Sequence, residues 1–289
     1  MKIDGRFPSV VLLASVAAAW LAAAHFSQAA IPGATTQTET FNFPQWFFES
    51  DQAAASLGFA VSGAGDVNGD GFKDVLVGAP KYSGLAHKSG AVFAFYGSAG
   101  GLQAAPQWRF DGDQTGAELG FSVAAAGDIN GDGFDDVLLG APRYNLNYSR
   151  EGRVYAFYGT PTGLPTLPDW QVEGSLVEAY LGWSVAGAGD VNNDGFDDVI
   201  VGARWAQRTF FNEGMVQLYL GSANGLESAP AWTVYGEQAG ASLGTAVSRA
   251  GDINQDGYAD VLIGAPLFDT TEEDVGVALA FCGSAAGLG

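Results

Sequence analysis

One six-residue string returns four times in this 289-residue chain at a constant interval. Asp66-Val-Asn-Gly-Asp-Gly is followed by Asp128-Ile-Asn-Gly-Asp-Gly, Asp190-Val-Asn-Asn-Asp-Gly and Asp252-Ile-Asn-Gln-Asp-Gly, each 62 residues after the last. Trp46, Trp108, Trp170 and Trp232 keep the same register, as do Leu57-Gly58, Leu119-Gly120, Leu181-Gly182 and Leu243-Gly244. A period this regular, with no insertion, means one supersecondary unit copied and stacked on its neighbours, because a single unit is too small to bury a core alone.

Each copy reads as four short strands. In the second, Leu119–Ala126 is small and alternating, Asp136–Ala141 is a short apolar run, Arg153–Tyr158 alternates with aromatics, and Trp170–Glu173 opens the next copy. No segment carries sustained helical periodicity. Four strands per unit with glycine-rich turns predict an all-β chain, a β-propeller of four 62-residue blades. The Ala/Gly/Ser-rich first strand suits the crowded position nearest the axis, and the aromatic later strands suit the splayed outer part. With 42 glycines, disorder or collagen would be conceivable, but 47% apolar and 12% aromatic residues oppose the first. The lack of a Gly-X-Y period opposes the second.

The repeated string is also where the charge is concentrated. Twelve Lys+Arg against 32 Asp+Glu give a net charge of −20, which excludes the basic footprint that nucleic acid or an anionic membrane surface needs. Positions 1, 3, 5 and 9 of a nine-residue loop carry oxygen side chains in every copy, with the carbonyl of position 7 as a further donor. The sets are Asp66, Asn68, Asp70, Phe72 and Asp74; Asp128, Asn130, Asp132, Phe134 and Asp136; Asp190, Asn192, Asp194, Phe196 and Asp198; Asp252, Asn254, Asp256, Tyr258 and Asp260. Oxygen-only ligands on flexible carboxylates select a hard cation, Ca²⁺ over Mg²⁺, about one per repeat and four in total. The first six positions match an EF-hand loop, but position 12 is Val77, Leu139, Val201 or Ile263 instead of a bidentate Glu, and the flanks read as strands.

The string Leu57-Gly58-(x)₇-Asp66-Val-Asn-Gly-Asp-Gly-Phe-Lys-Asp-Val-Leu-Val-Gly78-Ala79-Pro80, with its three counterparts, resembles the FG-GAP repeats of integrin α-subunit propellers and of many bacterial exported proteins. Gly202-Ala203-Arg204 departs from the motif's Gly-Ala-Pro, and Leu stands where the family often has Phe. The resemblance covers about Thr40 to Gly289 and implies a propeller, calcium in these loops, and extracellular adhesion or ligand binding. The family's propellers usually have seven blades. Four units imply an open arc, a fragment of a larger propeller, or a four-blade ring closed by the Trp46 strand.

Lys2 and Arg6 precede an apolar run from Val10 to Ala24, and Ser27-Gln28-Ala29 offers small residues for cleavage. This is the layout of a signal peptide over 1–29, followed by a linker over 30–39 and the repeats over 40–289. The run is shorter than the roughly 20 residues that span a bilayer. The expected location is secreted, cell-surface or periplasmic. The segments after the second strand, Lys81–Ser89, Arg143–Glu151, Trp205–Glu213 and Leu267–Val275, differ most between copies and lie at the end away from the acidic loops. Their Tyr82, Tyr144, Tyr148, Trp205, Arg208 and Phe210 are candidates for contact with a protein or carbohydrate partner. Catalysis has little material: beyond the leader only His87 remains, and Cys282 occupies a strand register that predicts burial. The expected function is a calcium-stabilised binding or adhesion module, not an enzyme. The alternative is the non-catalytic propeller of a larger secreted hydrolase.

Overall fold

The structure, a computed structural model, describes residues 45–289; the leader and linker lie outside the described residues. Fifteen strands follow one another with no helix among the described residues. The first sheet holds β1 (Ala60–Gly65), β2 (Asp74–Ala79), β3 (Ala91–Phe95) and β4 (Trp108–Asp111). The second holds β5 (Ser122–Gly127), β6 (Asp136–Ala141), β7 (Arg153–Phe157) and β8 (Trp170–Glu173). The third holds β9 (Leu181–Gly189), β10 (Asp198–Ala203), β11 (Met215–Tyr219) and β12 (Trp232–Tyr235), and the last β13 (Ala246–Gly251), β14 (Asp260–Ala265) and β15 (Val277–Phe281). Every pairing within a sheet is antiparallel between consecutive strands, which is the meander of a propeller blade.

The Trp strands sit differently from the sequence reading. Each closes the blade before it, as a fourth, outer strand on β3, β7 or β11. The cause is the indole. Trp108, Trp170 and Trp232 project from one blade onto Phe157, Tyr219 and Phe281 of the next, with ring centroids 4.9–5.0 Å apart. Trp108 and Trp170 also donate Nε1–H to Pro165 O and Glu227 O of the following blade, at 2.7 and 3.0 Å. Trp46 makes the same contacts on the first blade, 4.8 Å from Phe95 and 2.8 Å from Gln103 O. Its segment pairs with no strand and does not complete the last sheet, so the closed-ring alternative is not what forms.

The blades stack through alternating faces of their strands. Leu76 and Val92 of the first meet Val137 and Leu139 of the second, and the same register repeats down the row. Leu138 and Ile200 are fully buried, whereas Leu262 at the same register is 43% exposed because no blade covers the outer face of the fourth. The arrangement is an open row of four blades. The small first strands β1, β5, β9 and β13 lie side by side, as the Ala/Gly/Ser composition predicts. Ser122 Oγ and Ser184 Oγ donate to Gly182 O and Gly244 O across that seam, both at 2.8 Å. Side chains are excluded there: a Cβ on Gly140 or Gly202 would lie 2.2 Å from the carbonyl oxygen of Gly182 or Gly244.

Candidate metal loops and contact face

The four acidic loops join the first and second strands of each blade and fold alike. Asp66 Oδ1 accepts from Asp70 N at 3.1 Å and Oδ2 from Gly71 N at 2.8 Å, while Asn68 Oδ1 accepts from Asp70 N at 3.0 Å. The same bonds recur around Asp128, Asp190 and Asp252. Short polar side chains that bond the backbone a few residues ahead are the reason Asp and Asn curl this chain. Gly71 sits at φ +89°, as do its counterparts at +92° to +95°, in a region that a side chain disfavours.

The carboxylate at position 9 has a structural duty that spacing did not reveal. Asp136 is buried; its Oδ2 accepts from Ile129 N at 2.8 Å and its Oδ1 from Gly159 N at 2.9 Å. Asp74, Asp198 and Asp260 do the same. Each therefore ties its loop to the turn after the third strand of its own blade. The available signal was its place as the first residue of an apolar strand. Burial pushes the Asp136 carboxyl up to about 8 and Asp198 up to about 7, against two backbone amides that favour the charge, and the carboxylates at positions 5 and 1 add repulsion. Asp74 is raised for the same reasons.

Asp135 and Asp197, at position 8, link neighbouring loops. Asp135 Oδ2 accepts from Asp66 N of the preceding loop at 2.6 Å, and Asp197 Oδ2 from Asp128 N at 3.0 Å. Backbone bonds run alongside: Asp135 N to Asp66 O, Asp197 N to Asp128 O and Ala259 N to Asp190 O, at 2.9–3.1 Å. The loops thus form one continuous band along an end of the molecule.

The donor set suits a hard cation in kind: every candidate ligand is oxygen, and like charges face one another within each loop. As placed, no group of three acidic, His or Cys side chains among the described residues is gathered tightly enough to hold an ion. Positions 1 and 9 each accept from two backbone amides, and Asp128 from a third, Gly131 N at 2.7 Å. A carboxylate offers about four, so capacity for a cation remains.

The opposite end is built from the variable loops, and the candidates there divide. Tyr82 and Tyr144 are only 3% and 7% exposed. Tyr82 packs edge-on to Phe93, and Tyr144 carries the Arg153 guanidinium 3.6 Å from its ring centre. Both therefore belong to the core and offer no contact surface. Tyr148 and Phe210 are exposed, as are Arg208 and Phe211, while Trp205 is half-buried. Two buried glutamates that sequence reasoning passed over hold these loops. Glu151 accepts from the amides of Leu146, Asn147 and Tyr148, and Glu213 from those of Arg208, Thr209 and Phe210. Burial opposes ionisation of Glu213, but the amides outweigh it and hold its carboxyl below the usual range. His87 is exposed, and Cys282 is half-buried just past β15, short of the burial its register predicts.

The FG-GAP repeat model matches residues 57–95 and 119–157, and the FG-GAP-like repeat model residues 190–263. Integrin alpha-3 of Cricetulus griseus is 33% identical over 224 residues, covering 74% of this chain and 20% of that protein. Integrin alpha-4 of Xenopus laevis is 34% identical over 218 residues, and integrin alpha-V of Gallus gallus 30% identical over 222, with the same coverage. The chain thus spans about a fifth of the length of these relatives.

Proposed function

The chain belongs to the FG-GAP repeat family with an integrin α-like propeller, and from that premise we propose a calcium-stabilised, non-catalytic binding or adhesion module acting outside the cell. One observation carries the reading: the two ends of the same blades differ in kind. The end with the acidic loops repeats almost residue for residue and is bonded into a band, whereas the other end varies and exposes aromatic and cationic side chains. A rigid scaffold that varies its loops at one end only is the arrangement of a recognition protein.

Calcium would be held in each loop by the oxygens of positions 1, 3, 5 and 9 and the carbonyl of position 7. It would supply charge neutralisation and rigidity. The chain's own residues do the positioning: Asp74, Asp136, Asp198 and Asp260 anchor the loops, and Asp135 and Asp197 carry the constraint between blades. In keeping with export, residues 1–29 are read as a signal peptide and 30–39 as a linker. No helix among the described residues is long and apolar enough to cross a membrane. The partner is an extracellular protein or a carbohydrate, met at the face of Tyr148, Trp205, Arg208 and Phe210.

The test is a calorimetric titration of Ca²⁺ into chelated protein, followed by adhesion of the protein to extracellular-matrix proteins and glycans with and without the ion. Saturable uptake of about one ion per loop, with adhesion that requires it, supports the reading. Absence of calcium uptake would sink it.

A further inference from the structure

In the second blade Arg143 has a counter-charge, and in the third that counter-charge is gone. Arg143 Nε lies 3.2 Å from Glu118 Oε2. One repeat later, Tyr180 and Trp205 stand in the places of Glu118 and Arg143. The cation has moved back one residue to Arg204, where the other blades have Pro80, Pro142 and Pro266. Its guanidinium carbon is 4.4 Å from the ring centre of Trp183 and 4.9 Å from that of Trp205. The two indoles lie 6.1 Å apart at 27°, and Tyr180 meets Trp205 edge-on at 4.8 Å. Among the described residues Arg204 has no ion-pair partner, and its buried Nε has no acceptor. Burial alone lowers its pKa, with no neighbouring charge raising it. A guanidinium packed on aromatic rings and left without an acid matches a carboxylate supplied from outside.

The rings continue beyond this box. Trp183 touches Phe121 at 4.5 Å between centroids, and Phe121 touches Phe59 at 4.8 Å, so half-buried and exposed rings run in a row across three blades. They sit at the ends of the first strands, away from the acidic loops. We propose that Arg204, Trp183 and Trp205 form a subsite for a uronate, a carboxylate-bearing sugar of an acidic glycan, whose neighbouring sugars lie along Phe121 and Phe59. Pyranose rings have flat apolar faces that stack on aromatics, and Arg204 takes the carboxylate. The row of ring faces favours a linear glycan over an acidic peptide, which has no repeated apolar face. The chain's net charge of −20 does not forbid an anionic ligand. The loop carboxylates lie a strand's length away, about 20 Å, and the screening length is about 10 Å in 0.1 M salt. The inference rests on the binding-module reading and names the ligand class at its face.

The probe is a hyaluronan tetrasaccharide, in which glucuronates alternate with neutral sugars, and chitotetraose is the uncharged control. Both are titrated into the calcium-loaded protein while tryptophan fluorescence and heat are recorded. Saturable binding of the hyaluronan fragment, at least about tenfold tighter than chitotetraose, is expected. Arg204→Pro, which installs the residue of the sister blades, should abolish the preference, while Arg143→Gln should leave it intact. If Arg204→Pro shifts the unfolding midpoint, Arg204→Gln takes its place with the same expectation. Equal affinity for both sugars, no binding of the hyaluronan fragment, or full binding by the Arg204 variants would overturn the assignment. So would a tetra-glutamate peptide that binds as tightly, because the site would then read carboxylate and not sugar. These failures, with calcium uptake and adhesion intact, refute the subsite alone. Loss of calcium uptake refutes the module reading beneath it.

Discussion

The two ends of the blades share the same strands yet obey different rules. At the acidic end, all four loops make the same bonds, and each anchoring carboxylate accepts amides from its own loop and from a distant turn. At the far end, the same strand register carries Lys81-Tyr82, Arg143-Tyr144, Arg204-Trp205-Ala206 or Leu267-Phe268. Different buried groups hold those loops: Glu151 in the second blade, Glu213 in the third, and Ser89 in the first, whose Oγ donates to Ala86 O. Repetition is enforced where one loop must fit the next, as Asp135 fits Asp66. It relaxes at the far end, where a variable loop meets the link between blades largely through backbone groups, as Glu178 N donates to Ser149 O and Ser242 N to Asn212 O, so its side chains are free to differ.

The largest expected effect is on the repeated end. On the proposed count of one ion per loop, chelation should remove four ions, each contributing about 1.4 kcal/mol at ten times its Kd, so on the order of 5 kcal/mol in all. For a domain of this size the melting temperature should fall by roughly 10–20 °C, measured by calorimetry with and without EDTA. An unchanged midpoint would erase the distinction between the two ends.

Gly202→Ala attacks the seam between them. Its Cβ would lie 2.2 Å from Gly244 O and 2.3 Å from Ser184 Oγ, so a loss of about 3 kcal/mol in denaturant unfolding is expected. Glu213→Ala should cost about 2 kcal/mol, because it strands the amides of Arg208, Thr209 and Phe210. It should also raise hydrogen exchange in residues 208–212 while leaving calcium uptake unchanged. Transmission of that damage to the acidic loops would show that the ends are coupled.

The pH response of the chelated protein sharpens the contrast further. Asp136 and Asp198 hold protons more tightly folded than unfolded, with pKa values near 8 and 7. At these two groups the folded state then binds more protons, so their contribution to stability is fully present below the ordinary carboxylate pKa of about 4 and is lost as pH rises through 7 to 8. Calcium should flatten that decline; urea midpoints at pH 5 and pH 8, with and without the ion, measure it. The smallest effect is at the variable end: Phe210→Ser with Phe211→Ser should change stability by no more than about 0.5 kcal/mol, since both rings are exposed.

Much of this molecule is legible in its sequence. The strands Asp136–Ala141 and Trp170–Glu173 match their predicted bounds, because a turn of Asp, Asn and Gly followed by an apolar run marks its own edge. The buried Tyr82 and Tyr144 were not legible, since an aromatic in a polar loop gives no sign of which way its ring turns. Nor were the two duties of Asp74 and its counterparts, whose second partner lies 23 residues away.

By itself, then, the sequence determined the period, the strand order and the curled acidic loops, all of them set by contacts a few residues apart. Only the tertiary structure decided that the Trp strand closes the preceding blade, that the row of blades stays open, and that Arg204 lies on two indoles without an acid. Those outcomes depend on which faces meet between blades. Side chains about one repeat apart in the chain make such choices, and no local pattern encodes them.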